Sequence, residues 1–208
     1  MKKDKARLAD IILPNKRINY FIISTFILGI ISGSIFLVML THTDKVNVIK
    51  QINNFFNVIR ENKLNSGLAV KNSLIINYIY IIVIWILGFS IIGVVINIFL
   101  IYIRGFILGF SLSGIVVTYK YKSIPACLLY VFPHQIFNSI VVCVLGIYSI
   151  MFTFNLVKVI MNKRHNIKSM LKKYLIILLF SIIITFISSM LEVYVFPKLL
   201  KMIIFLYK

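Results

Sequence analysis

About five stretches of roughly 20 mostly apolar residues dominate this chain, and a helix of that length crosses about 30 Å of hydrocarbon. The first runs from Tyr20 to Leu40, behind a head that carries Lys2, Lys3, Lys5, Arg7, Lys16 and Arg17. No small-x-small cleavage site follows before Thr41-His42-Thr43-Asp44, so it reads as an uncleaved anchor. The apolar stretch from Leu74 to Thr118 is too long for one crossing and predicts a tight hairpin with its turn near Asn97 to Arg104. The stretch from Ile124 to Leu156 is interrupted at Pro133-His134-Gln135. It fits either a kinked helix or a short re-entrant element followed by a span. The last span, Tyr174 to Val195, is closed by Pro197. The expected fold is therefore an all-α, polytopic transmembrane helical bundle of about five spans, one integral membrane domain over residues 1–208.

Composition supports this reading. The 208 residues are 61% hydrophobic, and the mean hydropathy is +1.00, both beyond a soluble globule. The 23 Lys and Arg against 5 Asp and Glu sit on short connecting stretches rather than on one face, so nucleic acid is not an expected partner. Cys127 and Cys143 lie in apolar stretches and form neither a disulfide framework nor a zinc set. The basic head (residues 1–19) and the basic loop at 158–173, with Lys158, Lys163, Arg164, Lys168, Lys172 and Lys173, are placed in the cytoplasm by their short-loop charge. With five spans the tail at 197–208 then lies outside. In the outer loop at 41–73, Val48, Ile52, Phe55, Phe56 and Ile59 recur near helical spacing, which predicts an amphipathic helix lying on lipid, on its own bundle or against a partner helix.

Lipid supplies no net hydrophobic force between helices, so small residues are expected to mark the seams where backbones approach. Gly29 and Gly33 make one GxxxG, and Gly105, Gly109 and Ser113 make a stripe at i, i+4 and i+8. The segment Ile86 to Gly93, with Gly88 and Gly93, is echoed from Ile107 to Gly114; packing or coincidence explains an echo this short better than an inverted repeat. Charge within the apolar stretches is confined to Arg104 and Glu192. On the expected hairpin they lie at opposite ends of the membrane, on the order of 20 Å apart, so a direct ion pair is disfavoured. Arg104 would snorkel to inner headgroups, and Glu192 would reach the outer interface, an outer-loop lysine or a partner protein. Pro133 and His134 mark a kink, or a relay site that lacks a carboxylate within its span.

No HExxH occurs, no aspartate lies in a span, and Gly109-Phe110-Ser111-Leu112-Ser113 lacks the last glycine of a G-x-S-x-G elbow. No catalytic, cofactor-binding or metal residues are assigned, and no cofactor is expected. A Ser111 and His134 dyad is the residual hydrolase reading.

Trp85-Ile86-Leu87-Gly88 running to Gly93, Arg104-Gly105 with Gly109-Phe110, Pro133-His134-Gln135-Ile136-Phe137, and Leu191 to Pro197 together resemble the stage II sporulation protein M family over nearly the whole chain. The resemblance implies a multi-pass protein on the mother-cell side of the sporulation septum. It would work with stage II sporulation proteins D and P, a lytic transglycosylase and an amidase/endopeptidase, during engulfment of the forespore. Wider relatives often carry glycine and glutamate after the Pro-His pair, where this chain has Gln135 and Asn138. The implied role is a non-enzymatic scaffold, with the lipid bilayer and a second copy as further partners; a channel or transporter is the alternative.

Overall fold

The computed structural model describes residues 16–61, 63, 65–120, 124, 132–162 and 167–199, with the backbone alone at 132–134 and at 162. They form six helices: α1 (Lys16–Met39), α2 (His42–Arg60), α3 (Ser66–Leu87), α4 (Ile91–Tyr119), α5 (Phe132–Asn162) and α6 (Ile167–Tyr194). All but α2 are long and apolar enough to span a membrane. The head at residues 1–15, the residues from 200 onward and Cys127 lie outside the described residues.

Local chemistry sets most helix ends. Thr41 caps α2, its Oγ1 accepting from the Asp44 amide, and Asp44 places a negative charge in the first turn, where the helix dipole favours it. Asn65 caps α3 by accepting from the Leu68 amide. The second span therefore begins at Ser66, inside what the sequence suggests is outer loop. That early start moves the hairpin turn away from Asn97–Arg104 to Gly88-Phe89-Ser90, with Gly88 as C-cap of α3 and Ser90 as N-cap of α4. Asn97 and Arg104 lie inside α4, whose 29 residues run about 43 Å. Pro133 falls in the first turn of α5, where its missing N–H costs no helical bond, so it starts this helix; residues 125–131 lie outside the described residues.

Contacts fix the directions. Gly29 faces Tyr102 and Phe106, and Gly109 faces Ile30, so α1 and α4 run parallel and make the most extensive helix pair. Tyr80 meets Leu100 and Asn97 meets Ile84, so α3 and α4 are antiparallel. One end of the bundle thus holds the start of α1, the α3–α4 turn, the end of α5 and the start of α6. The other holds α2 and the end of α6. Ile81, Ile84, Ile101 and Leu145 form a fully buried apolar centre with Ile22, Phe152 and Tyr174 around it. Large apolar side chains such as Phe21, Leu28, Ile92 and Phe180 stay exposed on the outer surfaces, as expected of helices solvated by lipid.

The α1–α4 seam is a reciprocal glycine contact. A Cβ on Gly29 or Gly33 would press into the backbone of α4 at Tyr102 or Phe106, and one on Gly105 or Gly109 into the backbone of α1 at Phe26 or Ile30. Ser34 Oγ donates to the Gly109 carbonyl at 3.2 Å, Tyr102 OH donates to Ser32 Oγ at 2.7 Å, and the Phe36 ring packs on Phe106. A backbone atom cannot rotate away as a side chain can. Gly33→Leu and Gly109→Leu are therefore expected to lower the unfolding free energy by at least about 2 kcal/mol, read as the thermal midpoint of detergent-solubilised protein. Gly67→Ala, at an exposed position whose nearest neighbour would be Asn65 Oδ1 at 3.6 Å, should leave that midpoint unchanged or raised.

Candidate functional site

Arg104, near the midpoint of α4, donates from Nη2 to Asn77 Oδ1 at 3.1 Å, and its guanidinium lies 5.6 Å from the centroid of the Tyr80 ring. Asn77 Nδ2 donates to the Ser73 carbonyl at 2.9 Å and reaches Ser73 Oγ at 3.4 Å. The Ser73 hydroxyl donates to Glu192 Oε2 at 2.6 Å and lies 3.1 Å from Ser189 Oγ. Arg104 and Glu192 are thereby joined through two neutral side chains of α3, and the three helices α4, α3 and α6 are stapled together. This overturns the expectation that the two charges sit at opposite membrane faces. The misplaced turn put Arg104 at a helix end; with the turn at Gly88–Ser90 its side chain points into the bundle instead of snorkelling.

The relay has a periodic partner on α6. Ser181, Thr185, Ser188, Ser189 and Glu192 recur at three- and four-residue spacing, and the four hydroxyl residues are buried. Asn138 and Ser139, on the second turn of α5, are each 2% exposed. Both polar atoms of Asn138, Ser139 Oγ and Thr185 Oγ1 have no hydrogen-bond partner among the described residues. Such groups are costly in hydrocarbon.

A second polar set closes the other end of the bundle. The last carbonyls of α3 are met in part by amides of the turn, Gly88 N–H donating to Trp85 at 3.2 Å and Phe89 N–H to Ile86 at 3.1 Å, and three neighbouring side chains supply further donors. Ser149 Oγ donates to the Ile84 carbonyl at 3.0 Å, Tyr174 OH to Trp85 at 2.8 Å, and Thr153 Oγ1 to Gly88 at 2.6 Å. Asn97 Nδ2 donates to Ser149 Oγ at 2.6 Å. Gly88 leaves room for this: a Cβ there would strike Tyr174 and Ser149, and one on Gly93 would strike the Leu87 carbonyl across the turn. Tyr174 also stacks on Phe152, ring centroids 4.5 Å apart. The set is a helix cap, and it explains why polar Asn97 occurs within a span.

Beside the bundle, α2 packs its apolar face on the end of α4. Phe56 meets the Tyr119 ring at 4.9 Å, Tyr119 OH donates to Asn53 Oδ1 at 3.0 Å, and Ile52 Cδ1 lies 2.9 Å from where a Cβ on Gly114 would sit. Asn47, Lys50, Asn54, Asn57 and Arg60 remain exposed on its other side. Glu61, just past its end, pairs with Lys63 at 2.6 Å; the hydrogen bond and charge of Lys63 hold its carboxyl below the usual carboxylate range. Between α2, α4 and the first turn of α5 lies a cavity of 280 Å³.

The predicted residues thus fall in separate places. Gly29, Gly33, Gly105 and Gly109 meet one another, Gly88 and Gly93 form the turn, and Ser113 is half-buried on α4. The glycine stripe of the third span is filled by α1 of the same chain, so it is closed to a partner. The two halves of the glycine echo occupy unlike positions, one across a turn and one within a helix. Ser111 Oγ donates to the Ile107 carbonyl at 2.8 Å. Pro133 and His134 lie in the first turn of α5, and the His134 side chain, with any pairing to Ser111, lies outside the described residues. Ser73, Asn77, Ser149, Thr153 and the α6 hydroxyls were not singled out from the sequence; their helical spacing within otherwise apolar runs is the signal that marks them.

Removing one end of the relay strands the other in a membrane interior. Arg104→Met and Glu192→Gln are each expected to cost about 3 kcal/mol or less of bundle stability, and the double variant to cost less than the sum by about 1 kcal/mol. Thermal midpoints of the four proteins in one detergent measure this cycle, and strict additivity would show the two charges to be uncoupled.

Comparison with known proteins agrees with this architecture. No curated protein and no solved structure gives a significant match. A family model, described as Stage II sporulation protein M, matches residues 22–197, from within α1 to the proline beyond α6. A five-span helical membrane protein matched over that length belongs to the stage II sporulation protein M family, and is a sporulation-related membrane protein.

Proposed function

We propose that this protein is a non-enzymatic scaffold that recruits peptidoglycan-degrading enzymes, stage II sporulation proteins D and P, to the mother-cell side of the sporulation septum for engulfment of the forespore. The amino terminus lies in the cytoplasm, so α2 and the end of α6 face the wall. The observation that carries the reading is α2. It is a 19-residue helix too polar to cross a membrane, docked by its apolar face on α4, with amides and cations turned outward. A helix with one face committed to the bundle and the other displayed is suited to hold an extramembrane partner. The non-enzymatic reading is supported by the interior, where Ser149, Thr153 and Tyr174 cap a helix, Asn77 and Ser73 tie helices together, and Ser111 gives its hydroxyl proton to a helix carbonyl.

A channel or transporter is favoured by one observation, the relay with its unpartnered neighbours in the α2-side half. Against it stands the plug of Ile81, Ile84, Ile101 and Leu145, each at most 1% exposed, which interrupts any polar path toward the other end. The scaffold reading predicts that Lys50→Glu combined with Arg60→Glu cuts co-purification of the two hydrolases by roughly tenfold, the loss of about 1.4 kcal/mol of binding, at unchanged membrane insertion. Recovery of both enzymes at wild-type yield would sink it.

A further inference from the structure

From the plug of Ile81, Ile84, Ile101 and Leu145 toward α2, the bundle interior turns polar on four helices at once. Asn77 lies four residues from Ile81 on α3, Arg104 three from Ile101 on α4, and Asn138 seven from Leu145 on α5, so all three are within about 10 Å of the plug along their helices. Phe152 stacks on Tyr174, which fixes the register of α5 against α6. Fourteen residues from that contact on each helix, Asn138 comes level with Ser188, close to Thr185, Ser189 and Glu192. Asn138 also shares its stripe of α5 with Leu145, Ser149 and Phe152, at helical spacings of seven, eleven and fourteen, so its amide is directed at the same interior. Asn138, Ser139 and Thr185 are each at most 2% exposed. Among the described residues Asn138 alone has both its amide atoms buried and unpaired, and Ser139 Oγ and Thr185 Oγ1 are unpaired as well. Asn97 differs, because its Nδ2 donates to Ser149 Oγ and to the Ile84 carbonyl and only its oxygen is unpaired. If this packing were permanent, leucine at 138 and valine at 185 would serve it better than two polar side chains without partners.

The helix that carries Asn138 is also held unevenly. Ser149 and Thr153 tie α5 to the carbonyls of Ile84 and Gly88, whereas Asn138 and Ser139, eleven and ten residues nearer its start than Ser149, make no hydrogen bond. Between the two regions stands Gly146, the one glycine of α5, and the atom nearest to a Cβ there would be Ile101 Cδ1, the tip of a flexible side chain. The relay joins α3, α4 and α6 to one another and leaves α5 out. Beside the first turn of α5, the 280 Å³ cavity with Gln135 in its lining gives that end unfilled volume to move into. We infer that the start of α5 swings away from α3 and α6 about Gly146, and that water then enters from the α2 side. The water fills a vestibule among Asn138, Ser139, Thr185 and the relay that ends blind on the plug. Water is the occupant because the unpaired set offers a donor, an acceptor and two hydroxyls with no charge among them, and water both donates and accepts. In the packed arrangement the same atoms are closed to it. This device lies in the bundle interior, and it holds whether or not the outward face of α2 engages wall enzymes.

The test uses the full chain in lipid nanodiscs. In the unaltered protein, backbone amides over residues 138–143 should exchange with deuterium at least about tenfold faster than those over 145–150 of the same helix, a readout that requires no variant to fold. Asn138→Leu, which completes the packed arrangement without water, should bring the first stretch down to the rate of the second. Access is read separately, with Cys127 and Cys143 replaced by alanine and a membrane-impermeant methanethiosulfonate applied to the face that also labels Lys50→Cys on α2. Thr185→Cys should then react at least about tenfold faster than Leu145→Cys. Uniform protection along α5 would overturn the inference. So would a Thr185→Cys protein no more reactive than Leu145→Cys, whether both are slow, as in a dry interior, or both fast, as in a pore that passes the plug.

Discussion

Hydrocarbon offers no water to a stranded polar group and no hydrophobic reward for bringing two helices together, and this bundle is built around both constraints. Where α1 meets α4 the association rests on proximity. Four glycines let two parallel backbones come so close that side chains on either would overlap the other's carbonyls. Where α3, α4 and α6 meet, the association rests on hydrogen bonds that have no competitor in the surroundings. Arg104, Asn77, Ser73 and Glu192 form a chain in which each neutral member both donates and accepts. The two devices are complementary. The seam needs shape and is indifferent to charge, whereas the relay tolerates ordinary packing but fails if one partner is lost.

The fold class and the span count could be read from run length and hydropathy alone, because a crossing helix must be about 20 apolar residues long. The hairpin turn was misplaced for a physical reason. Asn97 and Arg104 look like turn residues when polarity is taken to mean contact with water. Asn97 is buried, however, as part of a cap on α3, and Arg104 is half-buried as one end of the relay. The true turn has weaker chemistry, a Gly-Phe-Ser in an apolar context, and it becomes visible only once α3 is known to begin at Ser66. Correcting the turn shifts Arg104 by about half a membrane. That single change converts two isolated charges into a connected pair. The amphipathic pattern of Val48, Ile52, Phe56 and Ile59 was legible for the opposite reason, since in α2 polarity does follow exposure.

Glycines are informative here in proportion to what opposes them. Gly67 has open space around it, and its helix would accept alanine; Gly105 and Gly109 oppose backbone and would not. Sequence spacing alone cannot separate these cases, nor can it say whether a GxxxG stripe waits for another protein or is already taken. In this chain it is taken, which moves any partner-binding role from the membrane interior to the extramembrane face of α2 and the neighbouring end of α6.

The two halves of the bundle differ in how their polar groups are used. Toward the α3–α4 turn, carbonyls released by the hairpin are met by Ser149, Thr153 and Tyr174, the aromatic rings of Trp85, Phe89 and Phe152 pack around them, and an isoleucine and leucine plug lies next to them. In that half too, Asn19 Oδ1, Trp85 Nε1 and Asn97 Oδ1 are buried without partners among the described residues. Toward α2, Asn138, Ser139, Thr185 and Gln135 keep buried polar atoms without partners among the described residues, and a cavity opens beside them. Unsatisfied polarity in a membrane is tolerated where something else completes it, be it water, headgroup or neighbouring protein. Both halves therefore leave polar atoms to be completed by their surroundings, and the half that carries α2 also has a cavity. The helix caps and apolar plug at one end and the cavity beside α2 at the other would suit the scaffold role proposed above.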